Sequence, residues 1–364
     1  MKQKKISTIV QKIITFNIRI YTKILKSKKH FEGFLMQNVC KAFEDSKYDV
    51  AFRLKERYQS TKNQLTYFDN KKNKTLAIVM QGPLRDKDQF TLNTAKYYLE
   101  MYPEIVVIVS TWDDENQQTI ETLREIGCEV VVSKKPSYEG HLNINFQLVN
   151  SLAGLKKAKE LGVTNVAKTR TDQCISKPHV FEFVVNLLEE FPTEKDSQQN
   201  RRLITLSMNY GNMFYPYFMS DFFYFGMLDD MIKVFSTPLD TREKFSMPMG
   251  STRREYAKKM YAPEVYILKN YLMSIGYDGD DTVFDYWKAV KECLICLDMK
   301  TLDIVWPKYD GKYSMHTFYG DYFEDDSPEK MKTVNFDFVN WFNLYSGSLE
   351  YKPEYEKYAD VIFK

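Results

Sequence analysis

An α/β fold built on a doubly wound, mostly parallel sheet, followed by an aromatic-rich C-terminal region, is what this 364-residue chain predicts. Three observations lead there. Leu76 to Met80, Ile105 to Val109, Glu129 to Val132 and Asn165 to Ala167 are short runs rich in β-branched or apolar residues with little alternation, as in strands buried on both faces. The intervals between them, 24, 19 and 32 residues, are long enough for crossover helices. The composition, 44% apolar and 15% aromatic with 26 Tyr and 25 Phe, supplies a sizeable core and excludes a disordered chain.

Taken in order, the chain begins with a basic segment. Residues 1–30 hold eight Lys, one Arg and no acid, whereas the whole chain balances 51 basic against 49 acidic residues. That balance gives no electrostatic footprint for nucleic acid, so no nucleic-acid partner is expected. Lys12, Arg19 and Lys23 cut the apolar stretches to about a third of the ~20 residues that a bilayer span requires. A secretory signal is not expected either, because it needs an uninterrupted apolar core and a small-residue cleavage site. Ile6, Ile9, Val10, Ile13, Ile20, Tyr21 and Ile24 recur at helical spacings. The expectation is a basic amphipathic helix lying on an anionic membrane surface, with a helix docked on the globular body as the alternative.

Residues 31–74 are polar and charged and read as a helical and loop lead-in. The α/β core follows over 75–235. Asn116 to Ile126 is amphipathic, and Ile144, Leu148, Leu152 and Leu155 form a stripe along a second helix. Leu203 to Leu206 extends the sheet, ahead of an aromatic tract from Tyr210 to Phe225. Residues 236–364 form a helical and C-terminal region, with helices expected from Pro263 to about Ser274 and from Asp280 to about Lys291. Five scattered cysteines argue for a reducing, cytoplasmic compartment, and Cys293 and Cys296, in an apolar run, read as buried structural thiols.

Ligands of such sheets sit outside the C-terminal ends of the strands, so those ends hold the candidate residues. After the first strand stands Gln81-Gly82-Pro83, a tight turn whose backbone is open to a ligand; neither a dinucleotide fingerprint nor a P-loop is present. After the second, Thr111 is placed to cap the next helix, Trp112 to stack on a base, and Asp113 to accept from a base or ribose. After the fourth, an extended chain would aim Lys168, Arg170 and Asp172 one way. Two cations and a carboxylate suit a diphosphate with its divalent cation; a structural ion pair is the alternative.

Ala77-Ile-Val-Met-Gln-Gly-Pro83, Val109-Ser-Thr-Trp112, the Asn145/Gln147 helix, Lys168-Thr-Arg-Thr-Asp-Gln173 and Ser220-Asp-Phe-Phe-Tyr-Phe-Gly226 together resemble the WavE-type lipopolysaccharide-synthesis proteins over about 75–235. The resemblance implies a GT-A-like nucleotide-sugar-binding core and a glycosyltransferase working on lipopolysaccharide or another surface glycan. Its acceptor, a lipid-linked or lipid A-core saccharide, would lie at the inner face of the bacterial inner membrane, where the basic helix would hold the protein peripherally. Residues 236–364 would form the acceptor side. Gln81, Gly82, Trp112 and Asp113 would line the nucleotide pocket, Asn145 would reach the donor or satisfy backbone groups, and Lys168, Arg170 and Asp172 would meet the diphosphate. Arg170 stands where such enzymes carry the first Asp of a metal motif. A divalent cation, Mn²⁺ or Mg²⁺, would then rest on Asp172 and His316, with Arg170 supplying part of its charge. Glu264, after Ala262-Pro263, and Asp221 are the candidates for the base that takes the acceptor's proton. The competing readings are a non-catalytic membrane-attached component of a polysaccharide assembly complex and a nucleotide-sugar pyrophosphorylase.

Overall fold

A computed structural model describes residues 75–207, 212–243, 250, 252–307 and 334–362, together with Lys12, Ile13, Phe16, Asn17 and Ile20. The chain divides into two units, Met1–Thr61 and Lys62–Lys364. In the first, the five described residues are helical, and Ile13, Phe16 and Ile20 are exposed. The rest of the basic segment, the lead-in over 31–74 and His316 lie outside the described residues. Among the described residues no helix is long and apolar enough to cross a membrane.

The second unit opens with β1 (Leu76–Gln81), α1 (Phe90–Met101), β2 (Val106–Trp112), α2 (Gln117–Glu125), β3 (Glu129–Ser133), α3 (Ile144–Glu160) and β4 (Asn165–Arg170). All four strands fall where the apolar runs place them. β2 and β4 run three residues further than their runs, to Trp112 and Arg170, because Ser110, Thr111, Lys168 and Thr169 are buried in the ladder despite their polarity. Thr111 therefore caps nothing. Its hydroxyl donates to the Gly82 carbonyl at 3.0 Å, and Asn116 caps α2 by accepting from the Gln118 and Thr119 amides.

The chain continues through β5 (Cys174–Ile175), α4 (Val180–Glu190), β6 (Leu203–Ser207), β7 (Tyr224–Met227), α5 (Leu228–Phe235), α6 (Arg253–Lys259), α7 (Pro263–Ser274), α8 (Val283–Cys293), β8 (Leu294–Asp298) and β9 (Ile304–Val305). It closes with α9 (Phe338–Ser346) and α10 (Glu356–Ile362). The main sheet has the order β3-β2-β1-β4-β7-β6-β8, and only β7 runs antiparallel. β5 pairs with β9 in a separate two-stranded ribbon. From β1 the chain winds outward to β3, then returns to place β4 on the other side of β1; crossovers of the usual right hand then put α1 and α2 on one face and α3 on the other. The fold is thus the expected doubly wound, mostly parallel α/β sheet. β8, which holds the buried thiol of Cys296 directly after that of Cys293 at the end of α8, is an apolar strand at the edge of the sheet that has no polar alternation to announce it.

α3 lies against β1 and β2 through Gly154, where an added Cβ would run into Val79 Cγ1 and stand 3.2 Å from Ser110 Cβ. The Ser110 hydroxyl also donates to the Asn150 carbonyl at 2.7 Å, so the backbone of α3 packs directly on the side chains of the sheet. Gly154→Val should lower unfolding stability by about 2 kcal/mol or more, the scale of overpacking a close-packed core. Urea denaturation checks this, and unchanged stability would show that α3 can move off the sheet.

Candidate active site

The order of the sheet reverses between β1 and β4, and the loops leaving both strands are tied together there. The Thr171 amide donates to the Gln81 carbonyl (3.1 Å), its hydroxyl to the Pro83 carbonyl (2.6 Å), and the Thr91 hydroxyl to the Thr171 carbonyl (2.9 Å). Gly82 has φ +123°, and a Cβ on it would sit 3.1 Å from Thr171 Oγ1, so both its conformation and its space favour glycine. Because β7 runs against β4, with Lys168 opposite Tyr224, the chain entering β7 reaches the same edge as the chain leaving β4. That entry carries Asp221.

Two cations from β4 serve this edge differently. Lys168 is fully buried; its ammonium donates to the Asp221 carbonyl at 2.6 Å and lies 5.4 Å from the centre of the Phe235 ring. Burial pushes its pKa down to about 7, against the opposing pull of the Asp221 charge. Arg170 forks onto Asp172, Nε to Oδ1 at 2.8 Å and Nη2 to Oδ2 at 3.3 Å, and its guanidinium lies 5.5 Å from the centre of the Trp306 ring. The two side chains thus form the ion pair that stood as the alternative for this segment, at the strand end where a ligand would arrive.

Glu264 comes in the first turn of α7, after Pro263, whose missing N–H costs nothing there. Its carboxyl is buried, and its pKa is raised to about 8, first by burial and then by the Asp221 charge. Asp221 is 4% exposed, and its Oδ1 has no hydrogen-bond partner. The Tyr224 hydroxyl is likewise buried and unpartnered, and burial together with the charges of Asp221 and Glu264 raises its pKa. Lys168, Arg170, Asp172, Asp221 and Glu264 therefore form one electrostatically linked cluster in which burial and mutual repulsion favour a proton on Glu264.

Other expected residues stand apart from this cluster. Trp112 is 2% exposed and packs edge-on against Phe146, centres 5.6 Å apart, so a base reaches its ring only if this packing opens. Asp113 is exposed, and its amide donates to the Ser133 carbonyl. Asn145 is buried with both ends of its amide engaged, Nδ2 on the carbonyls of Tyr138 and Asp240 and Oδ1 on the Asp240 amide. It satisfies backbone, the second of the two roles open to it. Asp240 in turn accepts from Arg242 Nε at 2.7 Å and from the His141 amide at 2.9 Å; this lock carries no periodic signal in the sequence.

A divalent cation finds no prepared donor set among the described residues. No group of three or more His, Cys, Asp or Glu side chains there could hold one, and the Asp172 carboxylate is engaged by Arg170.

A family model described as WavE lipopolysaccharide synthesis matches residues 76–278. No curated protein matches the sequence. Solved structures resemble the chain weakly. Mouse xyloside xylosyltransferase 1 in its apo form is 10% identical over 66% of this chain and 90% of its own, with a TM-score of 0.29. Mannose-1-phosphate geranyltransferase from Thermus thermophilus is 15% identical over 37% of this chain, TM-score 0.24, and the match spans 41% of that protein.

The raised pKa of Glu264 has a consequence for stability. The folded state binds this proton more tightly than the unfolded chain, so the contribution of Glu264 to stability is fully present below the ordinary glutamate pKa and is lost as pH rises through about 8. Glu264→Gln should therefore melt higher than the parent at pH 8 to 9 and converge with it near pH 4, as read by thermal denaturation across that range.

Proposed function

The chain belongs to the WavE lipopolysaccharide synthesis family, and from that premise we propose that it is a glycosyltransferase moving a sugar from a nucleotide-sugar donor to a lipopolysaccharide or related surface-glycan acceptor. The observation that carries the reading is the buried Asp221–Glu264 carboxylate pair, placed beside Lys168, Arg170 and Asp172 at the switch of the sheet. Binding sites of open α/β sheets lie at that edge, and catalytic acids and bases are where pKa values are displaced.

The donor's diphosphate meets the Arg170 guanidinium, whose planar fork suits phosphate oxygens. The nucleotide lies toward Gln81, Gly82 and Asp113. An acceptor hydroxyl oxygen forms the new bond to the anomeric carbon as the bond from that carbon to the diphosphate breaks. The electron pair leaves on the phosphate oxygen, and the hydroxyl proton passes to the Glu264 carboxylate, so one in-line displacement inverts the anomeric carbon. Asp221 keeps Glu264 a strong base by disfavouring a second negative charge nearby. Residues 1–30 hold the enzyme on the anionic inner face of the membrane, where a lipid-anchored acceptor would be presented.

Two measurements test this reading. Nucleoside diphosphates and their sugars should bind the purified protein, and Arg170→Ala should weaken binding about 10- to 100-fold, the worth of a charged hydrogen-bonded contact of about 1.5–3 kcal/mol. Binding that is indifferent to Arg170 would remove the donor site. A strict requirement for Mn²⁺ or Mg²⁺, tested with EDTA, would instead bring Asp172 and His316 into play as ligands. In turnover assays kcat/KM should rise as pH rises through about 8, where Glu264 becomes a base, and Glu264→Gln should cost about 10²- to 10⁴-fold. Donor binding without turnover would favour the non-catalytic component.

For the N-terminal segment, deletion of residues 1–30 should abolish co-sedimentation with vesicles containing phosphatidylglycerol while leaving nucleotide binding intact; equal sedimentation of both proteins would place membrane attachment elsewhere.

A further inference from the structure

The chain that leaves β4 is met by one from far along the sequence. The Gln173 amide donates to the Arg170 carbonyl at 3.2 Å, closing a turn around Asp172, and β5 then pairs antiparallel with β9, Cys174 opposite Val305 and Ile175 opposite Ile304. One step further along that register sets Trp306 opposite Gln173, next to Asp172. The ribbon is pinned at its other end. The Ser176 hydroxyl donates to the Asp303 carbonyl at 2.8 Å, the Lys177 amide to the Leu302 carbonyl at 3.3 Å, and the Tyr98 hydroxyl of α1 accepts from the Ile175 amide at 2.8 Å. Trp306 thus reaches the end of β4 on a two-residue strand that no periodicity in the sequence announces.

Its ring lies between the two halves of the candidate site. The Arg170 guanidinium lies over one side of it, 5.5 Å from the ring centre. Phe222, the neighbour of Asp221 in the chain, packs edge-on against the indole with centres 4.5 Å apart and planes at 77°, so the indole is held from the Asp221 side. Trp306 is buried, whereas the Arg170 side chain keeps 22% of its surface, so a ligand meets the guanidinium and not the indole. Arg170 is thereby fixed in two ways. Asp172 takes the Nε–Nη2 side of the planar fork and sets its rotation within the plane, and the indole sets the tilt of that plane. The Nη1 end of the fork lies on the other side of the group from the Asp172 carboxylate, at the strand end where Arg170 stands beside Gln81.

We propose that Trp306 is the positioning residue of the donor site, holding the Arg170 guanidinium so that the Nη1 end of its fork meets the donor's diphosphate. The inference rests on the transferase reading above for the diphosphate; Trp306 itself acts through Arg170. A long cationic side chain loses rotamer freedom when it binds an anion, and a ring that orders it beforehand removes that cost from binding. The role belongs to the aromatic face. Leucine at 306 keeps the site apolar and lacks the face, whereas phenylalanine restores it.

The experiment is isothermal titration calorimetry of the full chain with UDP, GDP, ADP and dTDP, on the parent, Trp306→Leu, Trp306→Phe, Arg170→Ala and the Trp306→Leu/Arg170→Ala double variant. Trp306→Leu should weaken binding of the nucleotide that the parent takes by about 5- to 30-fold, and Trp306→Phe by less than about threefold. Once Arg170 is alanine, Trp306→Leu should change the affinity by less than about twofold. A merely structural role would lower affinity equally in both backgrounds, and that result overturns the inference, as does undiminished binding by Trp306→Leu. Should Trp306→Leu not fold, tryptophan fluorescence decides: saturating nucleotide should change the emission of the parent and not that of Trp306→Phe, and equal changes in the two refute the inference. The outcomes also separate this role from the reading beneath it. Binding that depends on Arg170 and ignores Trp306 removes the role and leaves the donor site standing, whereas no binding, or binding indifferent to Arg170, removes the donor site and the role with it.

Discussion

A buried ammonium sets the geometry of the whole edge. Lys168 lies in the middle of the sheet with no exposure, and an ammonium there is stable only if its donors are used. The carbonyl it finds belongs to Asp221, in the chain about to enter the one antiparallel strand. That single contact holds the Asp221 backbone beside the end of β4. It also places a carboxylate where α7 delivers a second one, Glu264. Without the antiparallel insertion of β7 between β4 and β6, the two acids would arrive at opposite ends of the sheet.

The position of Glu264 depends on a second, smaller anchor. Arg242 is held by Asp240 and reaches from there to the Lys259 and Tyr261 carbonyls, just before α7 begins. Its guanidinium also covers the rings of Tyr261 and Tyr266. Against the opposing effect of burial, the Arg242 side chain and the backbone amides of His141 and Arg242 hold the Asp240 carboxylate down at about 2, so Asp240 stays ionised across the physiological range. Asn145 fastens the same loop to the start of α3. The start of α7 is therefore referenced to the core through one carboxylate and one amide side chain, and Tyr261, whose carbonyl accepts from Arg242, is part of the same linkage.

How much of this was legible beforehand divides along local and long-range lines. β1 to β4 were readable because strands buried on both faces must be apolar throughout, and α7 starts at Pro263 and stops at Ser274 where its sequence says. Thr111 misled because a threonine before three acids has the chemistry of a cap, while the ladder had another residue to run; Asn116 took the capping role. Arg170, Asp172, Asp221 and Glu264 were each nameable as candidates from their chemistry. Their meeting was not, because it follows from the direction of β7, and a four-residue buried strand reads the same in either direction. Trp112 shows the converse. It is the last residue of β2 and not the first after it, and packing against Phe146 turns its ring to the core.

The distribution of unfavourable features is itself informative. Asp221 Oδ1 and the Tyr224 hydroxyl are buried without partners, Glu264 is desolvated beside a like charge, and Tyr217 and Asp281 hold left-handed backbone. Unpartnered buried polar atoms and left-handed residues also occur elsewhere, at Gln199, Tyr286, Leu142 and Asn143 among others, so what sets this edge apart is the pair of buried carboxylates that feel each other's charge. Folding alone would favour removing them, since an apolar isostere or a glycine would relieve each. Other buried charges are partnered: Asp230 accepts from the Asn200 and Arg201 amides, and Arg202 spends its guanidinium on the carbonyls of Pro192 and Lys291. The chain thus partners Asp230 and Arg202 fully while leaving Asp221 and Glu264 within reach of each other's charge. Local conflict that survives within an otherwise consistent fold marks the place where something other than stability is being met.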